Sequence, residues 1–554
     1  MTYRLLIWLI VIVNTPVYAQ VDKIFRPWDT DKSPGAAVAV LYRGEVIHHE
    51  GYGMANLEHA IPISSTSVFD IASVSKQFCA FAIALLVDEG KITLDEDLRT
   101  YLPELPDFGH TITIQNLLYH TSGLRDWPGM LGLSGRDLED VISMEEILFF
   151  VTHQQTLNFV PGTRYSYSNT GYTLLAMVIE RISGQSFRSF MGDRIFEPLG
   201  MTRTFFQDDH EEIVSGRVTS YSPQPGKFQR IGNGLMATGS SSLHTTTEDL
   251  IKWVQNFEDQ SLGTPAVHSM MNLQGQLSNG TVLPYGFGLV RGTYRGLNTL
   301  SHSGGWAGFR TTILRIPDHE FAVIVLGNHA SLNATTMAQR VAEHYLGAFM
   351  SPPEMPPTPL SLGERSSDYE GIYDFSEAHV LRLTTSGSSL FAHLPPTPSV
   401  PAQSIGADSI YIPALSLTIT FSRDSLGQIT HASTTELESE RSPLPKETDL
   451  TPFEGCYNSE ELGVSYWMHI EDGKLIATGP RGKEFELTNA LENVFTSDSW
   501  FMPVIRFFVD PSTQAVIHFE ANSPRNRKMV FKKGLDQDDS ASGLHRPCDH
   551  SGQS

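Results

Sequence analysis

FDIASVSKQF, residues 69–78, decides how this chain is read. Ser73 and Lys76 stand three apart at the head of the apolar run 78–87. On a helix such a pair shares one face, which brings a hydroxyl and an amine side by side. A serine at a helix start also feels the positive end of the dipole. A lone serine hydroxyl is a weak nucleophile at neutral pH and needs an adjacent base. A lysine serves only when its pKa falls well below about 10.4, through burial or neighbouring cations. The plainer reading is a capped, buried helix beside a solvated lysine. At average composition S-x-x-K arises about twice by chance in a chain this long. It occurs once here, so the motif needs company to carry chemistry.

Two other segments supply it. Tyr167-Ser168-Asn169 follows the turn Pro161-Gly162. In an extended stretch residues two apart point the same way, so Tyr167 and Asn169 can reach one pocket, a phenol for proton transfer and an amide for hydrogen bonding. Taken alone, the segment reads equally as a buried tyrosine beside an asparagine cap. The third segment is SHSGGWAGF, residues 301–309. Glycines on an edge strand let a substrate backbone approach closely, and the N–H of Gly305 can then point at a developing oxyanion. Taken alone, it reads as a glycine-rich turn with a surface histidine.

The order and spacing of the three resemble the serine β-lactamase and penicillin-binding protein superfamily, which carries S-x-x-K together with S-D-N and K-T-G. The latter two motifs are absent. Tyr167-Ser168-Asn169 and His302-Ser303-Gly304 stand in their places, which resembles the class C β-lactamase, D-aminopeptidase and esterase branch. LLYHTSGL, residues 117–124, resembles a recurrent structural segment of that branch. The resemblance runs from about residue 33 to 347 and implies an α+β domain, an antiparallel sheet flanked by helices with a helical lobe. It also implies roles. Ser73 is the acylated nucleophile and Lys76 takes or relays its proton. Tyr167 is the general base and then protonates the leaving group. Asn169 binds the substrate amide, His302 lines the substrate site, and the N–H groups of Ser73 and Gly305 form the oxyanion hole. Neither a metal nor another cofactor is implied, and H-E-x-x-H, paired C-x-x-C and G-x-S-x-G are all missing.

His302 occupies a place where the family often has lysine. It is charged only below a pKa near 6.5 unless its surroundings shift it. That argues for a small-molecule or peptide substrate that does not depend on a terminal carboxylate, such as an ester or a peptide recognised from its amino end. The reading is an exported serine hydrolase acting on a peptide, amide or ester bond. The alternatives are a penicillin-binding D,D-carboxypeptidase or class C-type β-lactamase, and a non-catalytic sensor or binding protein of the same fold.

The remaining sequence sets the frame. The first residues, MTYRLLIWLIVIVNTPVYAQ, place Arg4 before an apolar core and small residues before Gln20, the layout of a cleaved signal peptide over 1–19 and of a periplasmic or secreted product. The apolar run is short for a membrane span, so no stable membrane insertion is expected after cleavage. A formal charge of −23 argues against a nucleic-acid partner and against a polybasic membrane surface. Three cysteines make no disulfide framework, leaving room for one bridge between Cys456 and Cys548. The hydrolase domain spans 20–350, with strands expected at 36–41 and 46–49, helices at 74–89, 172–182 and 335–346, and a hairpin over 309–326. Pro- and Ser-rich residues 351–367 read as a linker. Beyond it YEGIY at 369–373 is echoed by FEGCY at 453–457, and two small barrel-like β domains follow at 368–447 and 448–533, with a disordered tail at 534–554. Within the second, TGPRGKEFE at 478–486 is the best candidate for the loop that, as the resemblance implies, reaches the active site in D-aminopeptidases. Its Arg481 and Lys483 suit a substrate ammonium poorly. The sequence leaves the oligomeric state open.

Overall fold

AAVAVLY is apolar at every position, the pattern of a strand covered on both faces. In the computed structural model it forms β1 (Ala36–Tyr42), joined through Arg43-Gly44 to β2 (Glu45–Tyr52). The structure describes residues 20–353, 355, 357–360, 363–445 and 448–534. The expected leader and all but the first residue of the expected tail lie outside them. Five more strands complete the sheet: β3 (Tyr285–Gly286), β4 (Leu289–Tyr294), β5 (Leu297–Trp306), β6 (Phe309–Ile316) and β7 (Phe321–Gly327). Their order is β3-β4-β5-β6-β7-β1-β2, antiparallel throughout.

Four long helices accompany the sheet: α1 (Lys76–Asp88), α2 (Asn169–Ser183), α3 (Thr247–Asp259) and α4 (Ala334–Leu346). On one face Val38, Val40, Val323 and Val325 pack with Val341 of α4 and with Phe25. The alternate residues Ala37, Ala39, Ile324 and Leu326 point the other way and are buried too. Burying each of the valine, isoleucine and leucine side chains among them contributes about 1.5–3 kcal/mol, in keeping with the apolar run along β1 and β7. The rings of Phe78 on α1 and Trp253 on α3 stack at 4.1 Å. The helix expected at 74–89 divides in two: Ala72–Ser75 is a 3-10 turn and the α-helix opens at Lys76.

The chain forms two compact units. The second takes in Arg125–Asp137 and His153–Asn158 as well as the described residues from Met355 onward. It contains two closed eight-stranded antiparallel barrels. In the first, strand Gly371–Ser376 closes against Glu438–Ser442. In the second, Gly455–Ser459 closes against Met529–Lys533. The repeat seen in the sequence is a repeat of geometry. The Tyr373 hydroxyl donates to the Tyr369 carbonyl at 3.0 Å, and Tyr457 donates to Phe453 at 2.9 Å. Gly371 and Gly455 sit between them at φ +157° and +136°, a backbone that side chains disfavour. A bidentate pair of Arg506 and Asp374, at 2.7 and 2.9 Å, ties one barrel to the other. Part of the expected linker is built in: Leu360 N–H donates to Ser404 O at 2.8 Å, and a 3-10 helix spans Gly363–Tyr369. Cys79 is free and buried. The pairing of Cys456 with Cys548 falls outside the described residues.

Candidate active site

Ser73 is delivered by a strained turn. Phe69–Asp70 pairs with Leu243–Thr245, after which the chain reverses at Ala72, whose φ is +48°. A left-handed alanine costs about 1–2 kcal/mol and persists where neighbours hold it. Here Asp70 Oδ1 accepts from the Ala72 N–H at 2.8 Å, and Ser75 Oγ donates to the Ala72 carbonyl. Ile71 O accepts from Thr311 Oγ1 on β6 at 2.8 Å. The turn lies directly on β5: a Cβ on Gly304 would stand 2.2 Å from Ile71 O, so only glycine fits there.

Lys76 is fully buried. Its Nζ donates to Ser73 Oγ at 3.2 Å, to Asn169 Oδ1 at 2.8 Å and to Ser240 O at 2.7 Å. An ammonium has three N–H groups, and each finds one oxygen. The amine also lies 4.9 Å from the centre of the Tyr167 ring and 5.7 Å from that of Tyr172, where ring quadrupoles favour positive charge. The serine, lysine, tyrosine and asparagine singled out in the sequence are thus gathered around one nitrogen.

Three residues that the sequence did not single out complete the surroundings. His120, at φ +58°, belongs to LLYHTSGL. Its Nδ1 accepts from Ser168 N–H at 3.1 Å, its carbonyl accepts from Ser166 N–H at 2.9 Å, and its ring lies 4.3 Å from that of Tyr167. It therefore sets the path of 166–168 and the tilt of the phenol. Ser240 supplies a backbone carbonyl, which side-chain chemistry cannot reveal. Tyr285 is buried, and burial holds its hydroxyl well above the ordinary phenol range.

His302 is buried, with 4 % of its surface exposed. Nδ1 lies 2.7 Å from Ser303 O and Nε2 lies 3.1 Å from the Tyr285 hydroxyl. A carbonyl only accepts, so Nδ1 carries the proton, and Nε2 accepts from a phenol that stays protonated. The ring is neutral. Burial chiefly, and then the charge of Lys76, lower its pKa from 6.5 to about 3 against the opposing bond to Ser303. Between those values an unfolded chain takes up a proton that the folded chain refuses. The stability this group supplies is complete above pH 6.5 and declines as pH falls toward 3, by up to about 1.4 kcal/mol per pH unit. His302→Asn, which keeps a donor toward Ser303, should flatten the fall of Tm below pH 6.5. An unchanged slope in a thermal-shift series would contradict the neutral assignment.

Beside His302 the sheet is open. β4 pairs with β5 only as far as Val290 opposite Ser301, whereas β6 pairs as far as Trp306. From His302 onward that side of β5 has no strand neighbour among the described residues, so an interior strand of the sheet becomes an edge where Gly304 and Gly305 lie. A Cβ on Gly305 would meet only Arg310, at 3.8 Å or more. Among the described residues no cluster of His, Cys, Asp and Glu can hold a metal ion.

A family model described as Beta-lactamase matches residues 21–346. The chain belongs to the beta-lactamase family. Among relatives of this family member, a D-aminopeptidase of Gluconobacter oxydans (strain 621H) is 31 % identical over 311 residues, 56 % of this chain and 58 % of its own length. The match thus spans little more than half of that relative. Penicillin-binding protein 4* of Bacillus subtilis (strain 168) is 28 % identical over 378 residues, 63 % and 82 % of the two chains. A D-aminopeptidase of Brucella anthropi is 26 % identical over 526 residues, 93 % and 94 %. In fold the chain is similar to an octameric penicillin-binding protein homologue from Pyrococcus abyssi, with a TM-score of 0.54 and 22 % identity over 87 % of this chain and 100 % of that one. It is also similar to a D-amino acid amidase from Ochrobactrum anthropi SV3, with a TM-score of 0.52 and 22 % identity over 60 % of this chain and 100 % of that one.

Proposed function

We propose that this family member cleaves an amide, peptide or ester bond through an acyl-enzyme on Ser73. The observation that carries the reading is the 3.2 Å approach of the buried Lys76 amine to Ser73 Oγ, with the amine aimed by Asn169 and Ser240. In its neutral form Lys76 takes the Ser73 proton as Oγ bonds to the acyl carbon. The carbonyl π pair moves onto oxygen. The N–H groups of Ser73 and Gly305 receive that oxyanion, each contributing about 2.7–4 kcal/mol. The bond to the leaving nitrogen or oxygen then breaks, and the proton travels by way of Tyr167 to that atom. Water next adds to the acyl carbon while its proton passes by way of the Tyr167 hydroxyl to Lys76. As the Oγ–carbon bond breaks Lys76 returns that proton to Oγ, so the acid product leaves and Ser73 and neutral Lys76 are restored. Asn169 holds the substrate amide.

The neutral imidazole at His302 narrows the substrate. A fixed cation at this position would reward a carboxylate, and this one offers none near neutral pH. A D-amino acid amide, a short peptide recognised at its amino end, or an acyl ester fits best. The full-length likeness to the Brucella anthropi D-aminopeptidase supports the first of these, and the leader-like residues 1–19 support export to the periplasm or beyond. The match to penicillin-binding protein 4* over 82 % of its length favours a second reading, a penicillin-binding carboxypeptidase or β-lactamase. A panel of D-amino acid amides, p-nitrophenyl esters and a chromogenic cephalosporin separates the two. Amides and esters are expected to turn over, with Ser73 labelled by a fluorophosphonate. In His302→Lys the preference for a succinyl over an acetyl ester should rise about tenfold, the equivalent of 1.4 kcal/mol. Turnover of the cephalosporin alone would transfer the assignment to the second reading.

A further inference from the structure

The oxyanion hole proposed above joins two backbone N–H groups from segments more than 200 residues apart in sequence, and nothing in either segment alone sets the distance between them. The N–H of Ser73 takes its direction from the peptide that follows Ala72. Gly305 has no side chain to anchor it, so the aim of its N–H depends on its pairing with Arg310 of β6 and on its chain neighbours. On one side Gly304 is wedged beneath Ile71. On the other side stands Trp306.

Besides the bond from Thr311 Oγ1 to Ile71 O, a chain of hydrogen-bonded side chains connects the two. Asp70 is fully buried. Its Oδ1 accepts from the Ala72 N–H at 2.8 Å and its Oδ2 accepts from Asn233 Nδ2 at 2.8 Å. Asn233 Oδ1 in turn accepts from Trp306 Nε1 at 3.0 Å. The loop that carries Asn233 is itself braced: Gly232 N–H donates to Glu139 Oε2 at 2.9 Å, and Gly234 O accepts from Ile142 N–H at 3.2 Å. A buried carboxylate is costly unless hydrogen-bonded. This one holds the left-handed residue before Ser73 with one oxygen and reaches toward β5 with the other. Arg217 and His244 share its field.

We propose that Asp70, Asn233 and Trp306 are positioning residues, a polar strut that sets the separation of the Ser73 and Gly305 N–H groups. The proposal rests on the acyl-enzyme reading. The strut has a direction: Trp306 donates to Asn233, which donates to Asp70. Asp70→Asn sets an amide N–H against that of Asn233. Asn233→Asp sets two carboxylates against each other. The double exchange restores every donor and acceptor and keeps the local charge, so it separates positioning from mere bulk.

The experiment uses the full chain with p-nitrophenyl acetate and its thiono analogue, whose sulfur an oxyanion hole stabilises poorly. Each single exchange should lower kcat on the oxo ester about 10²-fold, the low end for a lost oxyanion donor. KM should stay within about twofold, and the oxo-to-thiono rate ratio should fall. The double exchange should recover most of the loss. Trp306→Phe, which leaves the buried carboxylate intact, covers the case in which Asp70→Asn does not fold, and should lose about tenfold with the same drop in ratio. Unchanged kcat, or losses that follow Tm with no recovery in the double exchange, would overturn the strut while fluorophosphonate labelling of Ser73 left the acyl-enzyme reading standing. Failure of the unaltered protein to label at Ser73 overturns both.

Discussion

Ser73→Ala and Lys76→Ala each bring turnover close to background, and the double replacement is no slower than either alone. On the proposed acyl-enzyme mechanism the hydroxyl and the amine work as one unit, because Oγ would be a nucleophile only while Nζ, 3.2 Å away, can accept its proton. Groups that act as a unit are grossly non-additive, and loss of a serine nucleophile or its base costs about 10⁶ in kcat in a well-studied protease. General-base removal alone accounts for about 10²–10⁴. Lys76→Ala also strips a donor from Asn169 Oδ1 and from the buried Ser240 O, at about 1–3 kcal/mol for the buried acceptor, so its Tm should fall while that of Ser73→Ala stays near the original. Single-turnover kinetics on an activated ester decide the point. Additive losses in the double variant would mean that the lysine acts on something other than the serine.

The second large effect concerns stability. Arg125 is fully buried. Its guanidinium donates to Glu461 Oε1 at 2.6 Å, to Thr156 O at 2.7 Å, to Arg527 O at 3.2 Å and to Lys528 O at 3.3 Å. Burial draws the arginine's pKa down and the carboxyl's up, but a guanidinium keeps its proton in proteins, and a 2.6 Å contact fits an ion pair. Glu461→Ala takes the carboxylate in contact away from that buried charge and leaves only the more distant Glu520 beside it, at about 3–5 kcal/mol. At about 2–4 °C per kcal/mol for a unit of this size, Tm should drop by about 10 °C. Arg125→Met combined with Glu461→Leu should recover most of the loss, since apolar replacement of both partners is often neutral. Ending the chain before residue 352 removes the carboxylate and two of the carbonyls together, and uncovers Trp127 and Met130, now buried. That fragment should be insoluble or molten by thermal melt and near-ultraviolet circular dichroism. A sharply melting, soluble fragment would show that 125–137 finds another resting place.

Much of the candidate site's geometry was legible because it is carried by side chains in short patterns. The spacing of Ser73 and Lys76 and the alternation of Tyr167 and Asn169 both state what can face what. The barrels were legible for a different reason: YEGIY and FEGCY repeat a glycine and a tyrosine that one backbone geometry requires. What stayed hidden was carried by the main chain or by distance. Ser240 contributes a carbonyl, which any residue possesses. Asn233 lies in a loop without periodicity. His120 sits in a segment that reads as structural. The state of His302 depends on burial and on Lys76, and neither is local to its motif. Likewise the 3-10 turn that carries Ser73 follows from tertiary bonds of Asp70 and Thr311 rather than from helical propensity.

Arg125 and the carbonyl of Arg527 lie 402 residues apart in the chain. At about 5–20 residues per second of synthesis, the guanidinium would wait roughly 20–80 s for its last acceptors. Until then the stretch around Trp127, which belongs to the second unit, lacks its last partners, so a ribosome stalled in the final strand leaves that unit unfinished although nearly all of its residues have been made.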